Sequence, residues 1–322
     1  NKLDLNLIAP KTVYAGITLD SLGLFATANG DHLNGKLAFQ KLKGGPIDIN
    51  RTTVDFGLID KLANVKLAIA DSLGGKLASI GTIIDLTTQN TLVSLIPNDF
   101  ILNSEQWNIP AENQISFTDK GVIFRSTDFS NAAQRIRLEN LKSGNPYGMK
   151  VNFEGFELAS LTSFLNANDS LISGELNGTL RLLNLNTHPG IEADIKLNQL
   201  AVLGLDMGQL KLLANTKDKD KYNLNLTVKG EAIDLEVNGS LISEEEMSLD
   251  LKADLHRLDV KLIEGFAGGE LQKTSGRILA HTSVKGLLND IRYEGSVAFN
   301  QAAFTVTQLN TQFSLPNDRV TI

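Results

Sequence analysis

The stretch from Tyr222 to Leu258, YNLNLTVKGEAIDLEVNGSLISEEEMSLDLKADLHRL, alternates apolar and polar residues in three successive runs. Gly230 separates the first two runs, and the acidic residues 244–246 separate the last two. A period of two places successive side chains on opposite faces of a strand. The stretch therefore predicts an antiparallel meander with one apolar and one polar face. The apolar positions of the three runs are Leu224, Leu226, Val228, Ile233, Leu235, Val237, Leu249, Leu251 and Leu255.

The composition supports a large core and argues against nucleic-acid binding, disulfides and cysteine-ligated metals. Of the 322 residues, 42% are hydrophobic and 21% are charged, a length that fits one to three domains. The net charge of −7, without a dense stripe of Lys and Arg, argues against nucleic acid as a partner. The sequence has no cysteine, which excludes disulfides and cysteine-ligated metals.

Two segments break the alternation and predict short amphipathic helices. The first is 156–166, and the second is 258–267. Such helices either gate the apolar face or simply cover part of it. Their apolar positions are Leu158, Leu161 and Phe164 in the first segment, and Val260, Ile263 and Phe266 in the second.

The two breaks recur at an offset of 102 residues, since Phe156 corresponds to Leu258. At the same offset Ser173-Gly174 matches Ser275-Gly276, and Asn198-Gln199 matches Asn300-Gln301. This recurrence indicates a repeated unit of one short helix followed by strands. The resulting division of the chain is an N-terminal β-meander at 1–96, an irregular β segment at 97–155, a repeat at 156–257 and a second, truncated copy at 258–322.

Nearly every remaining segment predicts a strand, so the fold class is all-β. One Trp and four Tyr are too few for the aromatic girdles of a transmembrane barrel. The sequence has no repeat near 20 residues, which argues against a parallel β-helix. An elongated antiparallel sheet remains, and alternation alone favours an apolar face that the protein itself covers. No apolar run reaches 18 residues, so the sequence predicts no transmembrane helix. Because the sequence starts and stops within apparent strands, we expect a fragment of a longer protein.

No constellation of residues predicts catalysis, a cofactor or a metal, and we expect a protein that is not an enzyme. The four His residues stand apart, without a carboxylate or second His at metal-ligand spacing. The chain has no Gly-x-Ser-x-Gly elbow and no phosphate-binding loop. Trp107, the only Trp, either anchors a partner or closes one end of the apolar face.

Several segments nevertheless resemble a known family. The C-terminal part carries Leu258–Phe266, Ser275-Gly276 and Ile291–Gly295, and the upstream part carries Trp107–Pro110 within Ile101–Arg125. This pattern resembles the C-terminal portion of the TamB family, among the AsmA-like envelope proteins, in the type found in Bacteroidota. Asn289-Asp290 stands where that family often has Pro, which is a small departure.

The resemblance implies a sheet rolled into an open half-pipe with an apolar inner groove. It implies a periplasmic location in a Gram-negative bacterium, with anchoring in the inner membrane through a segment outside this sequence. The implied partners are phospholipid acyl chains and an outer-membrane barrel of the TamA/BamA type. The nine apolar positions given first would line the groove, and the six helix positions would cover it.

The implied function is a lipid conduit that moves phospholipid between the inner and outer membranes. Two alternatives stay open. One is an assembly or secretion factor that handles outer-membrane β-barrel proteins by templating their strands. The other is a structural β-sandwich or adhesin fragment.

Overall fold

A computed structural model describes residues 2–119, 121–141, 148–166, 170–183, 190–218, 220–243 and 246–322. The chain divides into two compact units, unit 1 at Asn1–Leu171 and unit 2 at Ile172–Ile322. The fold is all-β with two short helices, which confirms the predicted class. The expected four-part division of the chain stays a prediction.

Unit 1 is built from strands that follow one another as an antiparallel meander. Its β1–β2 turn has Ala15 and Gly16 at φ 49° and 79°, the left-handed pair typical of a tight two-residue hairpin. The strands are β1 Lys2–Tyr14, β2 Ile17–Asn29, β3 His32–Gly44, β4 Ile47–Ile59, β5 Leu62–Ala70, β6 Lys76–Asp85, β7 Thr91–Leu95, β8 Ile101–Leu102, β9 Glu105–Gln106, β10 Gln114–Thr118, β11 Gly121–Arg125, β12 Asp128–Asn131, β13 Gln134–Asn140 and β14 Met149–Glu157. Helix α1 is Ala159–Thr162.

Unit 2 continues with antiparallel strands, most of them longer, which pair in sequence order except that the last strand pairs with the third from last. The strands are β15 Ile172–Leu183, β16 Gly190–Val202, β17 Leu205–Asp218, β18 Lys221–Lys229, β19 Ile233–Ser243, β20 Met247–Asp259, β21 Leu271–Leu287, β22 Asp290–Val306, β23 Thr311–Leu315 and β24 Arg319–Thr321. Helix α2 is Val260–Phe266, between β20 and β21. The meander predicted for Tyr222–Leu258 is confirmed as β18, β19 and β20.

The strands form two sheets, one of 11 strands (β1–β11) and one of 13 (β12–β24). The expectation of a long, open antiparallel sheet is confirmed, but the strands form two such sheets and not one. Asn140 gives a physical reason for the end of the first sheet. Its Oδ1 accepts the Phe124 N–H at 2.8 Å, and its Nδ2 donates to the Val122 carbonyl at 2.7 Å. The amide thus satisfies backbone groups of β11 where a further strand would pair. Within the described residues no strand pairing closes either sheet.

The core of unit 1 contains an aromatic cluster around Trp107. The indole is 2% exposed and its ring centre lies 6.3 Å from that of Phe100 and 5.8 Å from that of Phe156. Phe129 is also buried and lies 6.2 Å from Phe100. Trp107 therefore has no indole surface free for a partner, which argues against the first of its two expected roles, the partner anchor.

The recurrence seen in the sequence extends to backbone conformation in unit 2. Gln199 and Gln301 both have φ 50°, and each lies in an irregular part of its strand opposite a glycine with positive φ. Those glycines are Gly174 and Gly276, at φ 133° and 80°. A Cβ on Gly276 would lie 2.1 Å from the Gln301 carbonyl oxygen, so only glycine fits there. The matching dipeptides Ser-Gly and Asn-Gln thus face each other across two bulges of similar conformation.

Candidate functional site

The residues predicted to line a groove lie together on one face of β18, β19 and β20. Val228 pairs with Leu235, which pairs with Leu255, and Leu226 pairs with Val237. Further along, Leu224 and Leu251 both pair with Gly239, and Leu249 pairs with Leu241. Ile233 joins the same face through the cluster that it forms with Val228. Directly opposed residues of antiparallel strands share a face, so the structure brings all nine side chains to one surface.

This surface extends beyond the three predicted strands. The register continues from β15 to β22 without moving the apolar residues to the other face. One cross-strand row contains Leu176, Leu197, Leu210, Val228, Leu235, Leu255, Ala280 and Val297. Eight strands at about 4.8 Å spacing make this row about 34 Å long. We call the apolar side of β15–β22 the aliphatic face, because its side chains are mainly Leu, Ile, Val and Ala.

One end of the aliphatic face is covered by α2. Leu262 of the helix is 5% exposed and packs with Val228 and Ile233, which are 6% and 7% exposed. Around this cluster pack Leu205, Met207, Leu210, Ala232, Leu235, Leu255 and Leu258. A Cβ on Gly265 would lie 2.3 Å from a methyl group of Leu205, so the glycine allows close contact between helix and sheet. The helix therefore buries the sheet locally.

A polar contact fixes α2 on its other side. The Glu264 carboxylate accepts the Thr274 N–H at 3.1 Å and also accepts a hydrogen bond from the Thr274 hydroxyl. These hydrogen bonds, first the hydroxyl and then the amide, lower the pKa of Glu264 below its usual value. The helix is thus tied to the start of β21 as well as packed on the sheet.

The helix positions predicted from sequence have different environments. Val260 is 3% exposed, Ile263 is half-buried and Phe266 is 45% exposed, and their role as a cover of the groove stays a prediction. Leu262, which contacts the sheet, was missed, although its spacing of four from Leu258 was a signal. In the first segment Leu158 and Phe164 are half-buried and lie outside α1, while Leu161 is 47% exposed.

The other end of the aliphatic face carries a concavity of about 510 Å³. Its apolar lining residues are Ile191, Ala214, Tyr222, Leu224, Leu241, Leu249 and Leu251, with Asn215, Asn223 and Ser243 at its border. Leu241 is 36% exposed, and Leu224, Leu249 and Leu251 are half-buried. Three of the nine predicted residues thus line this concavity. Sequence reasoning missed Tyr222 and Leu241, although both continue the alternation of their strands.

The opposite face of unit 2 carries polar cross-strand pairs. Lys285 Nζ lies 3.2 Å from Asp250 Oδ2, and His281 Nδ1 lies 2.7 Å from Asp254 Oδ1. Asn225 donates to the amide oxygen of Asn238. Exposed pairs of this kind contribute at most about 1 kcal/mol each, so they favour the correct register more than they stabilise the sheet.

In the ranges that the structure describes, no three His, Asp or Glu residues come together as a metal site. His188 lies outside those ranges. No described helix is long and apolar enough to cross a membrane.

Comparisons with protein-family models, with curated proteins and with solved structures find no match.

Proposed function

We propose that this chain is a non-enzymatic lipid conduit whose aliphatic face holds phospholipid acyl chains while the head groups stay in solvent. The observation that supports this proposal is the continuous apolar surface of β15–β22, together with the concavity at its end away from α2. The apolar lining fits acyl chains better than it fits polar ligands.

The chemistry of the lining suits movement as well as binding. Each methylene removed from water contributes about 0.8 kcal/mol, and aliphatic rows offer similar contacts at every position along the surface. A chain can therefore shift along such rows without leaving a single deep binding site. This property favours a conduit over a carrier that holds one lipid tightly.

The wider arrangement of the conduit is also part of the proposal. By resemblance to the TamB family, the sheets would roll into a half-pipe that spans the periplasm, from an inner-membrane anchor to an outer-membrane barrel of the TamA/BamA type. Gly178, in the middle of β15, supports such bending. Its φ is 133°, and a Cβ there would lie 2.0 Å from the Asp194 carbonyl oxygen. Glycine within a strand often marks a tight bend.

A photo-crosslinking amino acid at Leu251 tests the conduit, with Lys252 as the matched control. The two residues are adjacent, but Leu251 lies at the concavity and Lys252 is exposed on the polar face. The proposal predicts phospholipid adducts from native membranes at position 251 and none at 252. Polypeptide adducts at 251 would favour the protein-handling alternative. No adduct at either position would favour a structural β-sandwich or adhesin fragment.

One observation favours the second candidate, an assembly or secretion factor that templates strands. Strand β1 has 13 residues and, among the described residues, pairs only with β2. Leu3 and Leu7 on this strand are 54% and 44% exposed. An open apolar edge can accept an added strand. A peptide taken from an outer-membrane β-strand tests this function. Binding that is lost in Leu5→Pro would support it, and the absence of binding would count against it.

A further inference from the structure

One long border of the sheet in unit 1 combines exposed apolar tips with unpaired cations. Turns β1–β2, β3–β4 and β5–β6 all lie at this border, because consecutive antiparallel strands return to the same side. We call it the cationic rim and define it by Tyr14, Ile17, Lys43, Arg51, Leu73 and Lys76. The β1–β2 and β5–β6 turns are four strand spacings apart, or about 19 Å.

The apolar residues of the cationic rim stand far out from the sheet. Leu73 is 93% exposed, Tyr14 is 80% exposed and Ile17 is 48% exposed. The Leu73 turn is well ordered by hydrogen bonds, since Asp71 Oδ1 accepts the N–H groups of Leu73 and Gly75 at 2.8 Å each. A Leu held outward at the tip of a fixed turn, with a Tyr on another turn of the same border, is typical of a surface that enters the interface of a bilayer.

The charges of the cationic rim point to an anionic partner. Lys43, Arg51 and Lys76 have no carboxylate within 4.0 Å among the residues that the structure describes. Two of the acids nearby are engaged elsewhere, because Asp48 Oδ1 lies 2.9 Å from Lys41 and Asp71 accepts hydrogen bonds from its own turn, while Asp20 pairs in register with Lys11 and Lys41. The three cations are therefore free to bind phosphate groups.

The opposite border of the same sheet provides an internal comparison. Its turns carry Asp31, Asp60 and Asp85, and its cations are Lys61 and Lys2, which pairs with Asn29. It also exposes aliphatic residues, since Ile59 and Leu62 are 48% and 47% exposed. The two borders thus differ in charge rather than in apolar exposure, and only one matches an anionic surface.

We infer that the cationic rim docks unit 1 on the surface of an anionic phospholipid bilayer, with Leu73 and Tyr14 entering the interface and Lys43, Arg51 and Lys76 binding lipid phosphates. Each Lys or Arg near such a surface strengthens binding about fivefold, and added salt weakens this part of the binding. The rim lies at turns of unit 1, so this inference does not depend on acyl-chain binding by unit 2.

Vesicle flotation tests the docking with the whole 322-residue chain. We expect binding to vesicles of phosphatidylethanolamine and phosphatidylglycerol, and at least tenfold weaker binding when phosphatidylcholine replaces phosphatidylglycerol. Replacing Lys43 and Lys76 by Gln should weaken binding about 25-fold, as two fivefold steps. Leu73→Ser should also weaken it, whereas the matched control Leu62→Ser should not.

Circular dichroism and the fluorescence of Trp107 check that each variant is folded. Equal binding to both kinds of vesicle would overturn the inference, and so would equal losses for Leu73→Ser and Leu62→Ser. Binding that survives the loss of both lysines would also contradict it.

Discussion

Two charge insertions on the same face test whether α2 covers one end of it and leaves the other open. Leu235 packs against the cluster of Val228, Ile233 and Leu262 beneath the helix. Leu251 lies at the concavity, away from that cluster. We therefore expect Leu235→Arg and Leu251→Arg to differ in their effect on stability, although both place a guanidinium on the aliphatic face.

The difference follows from what each guanidinium can reach. Beneath α2 the guanidinium of Leu235→Arg would be buried without water or an ionic partner, so the helix must move away and expose Leu262. Losing the burial of one core Leu costs about 2–5 kcal/mol, so we expect Leu235→Arg to lower the free energy of unfolding by about 3 kcal/mol. At Leu251 the methylene stem can lie on the face while the guanidinium reaches water, so the cost is about 1 kcal/mol or less.

Urea unfolding followed by far-ultraviolet circular dichroism measures both variants. The only Trp is in unit 1, so its fluorescence does not report on unit 2. Hydrogen exchange of residues 259–267 adds a local measurement, and Leu235→Arg should speed exchange there while Leu251→Arg should not. Equal loss of stability in the two variants, with unchanged exchange of α2, would refute the idea that the helix covers one end only.

Two further predictions concern bending and pH. Gly178→Ala should lower the free energy of unfolding by about 2 kcal/mol or more, because its φ is positive and a Cβ would contact backbone, whereas Thr179→Ala should have little effect on urea unfolding. The hydrogen bond from Arg135 holds the pKa of Asp128 below its usual value. The ionised Asp128 therefore stabilises the fold above about pH 4, and this stabilisation is lost as pH falls through the lowered pKa of the folded state. Urea unfolding followed by Trp107 fluorescence should therefore show a loss of stability from pH 5 to pH 3 that is smaller in Asp128→Asn; equal losses would contradict this role.

Alternation with period two predicted the strands and the shared face well, because it depends only on neighbouring residues. It could not show what covers the face. The cover over Val228 is Leu262, and its position depends on how a seven-residue helix packs on β17–β20. The end of the first sheet at Asn140 was likewise beyond prediction, because a single amide there pairs with backbone 16 to 18 residues away.

The burial of Trp107 was also not predictable from the sequence pattern. The sequence left two roles open for this residue, a partner anchor and a cap on one end of the apolar face. Its burial depends on Phe100, Phe129 and Phe156, which come from separate segments and meet only in the fold. The sequence shows which residues are apolar, and the pairing of distant segments decides which of them are covered.

The most direct test of the proposed function is the affinity of the chain for acyl probes of increasing length. If acyl chains lie on the aliphatic face, two added methylenes should tighten the dissociation constant by up to about 15-fold, until the chain exceeds the surface. Leu251→Arg, if folded, should weaken binding and flatten this dependence. An affinity that does not change with chain length, or that Leu251→Arg leaves intact, would contradict the conduit.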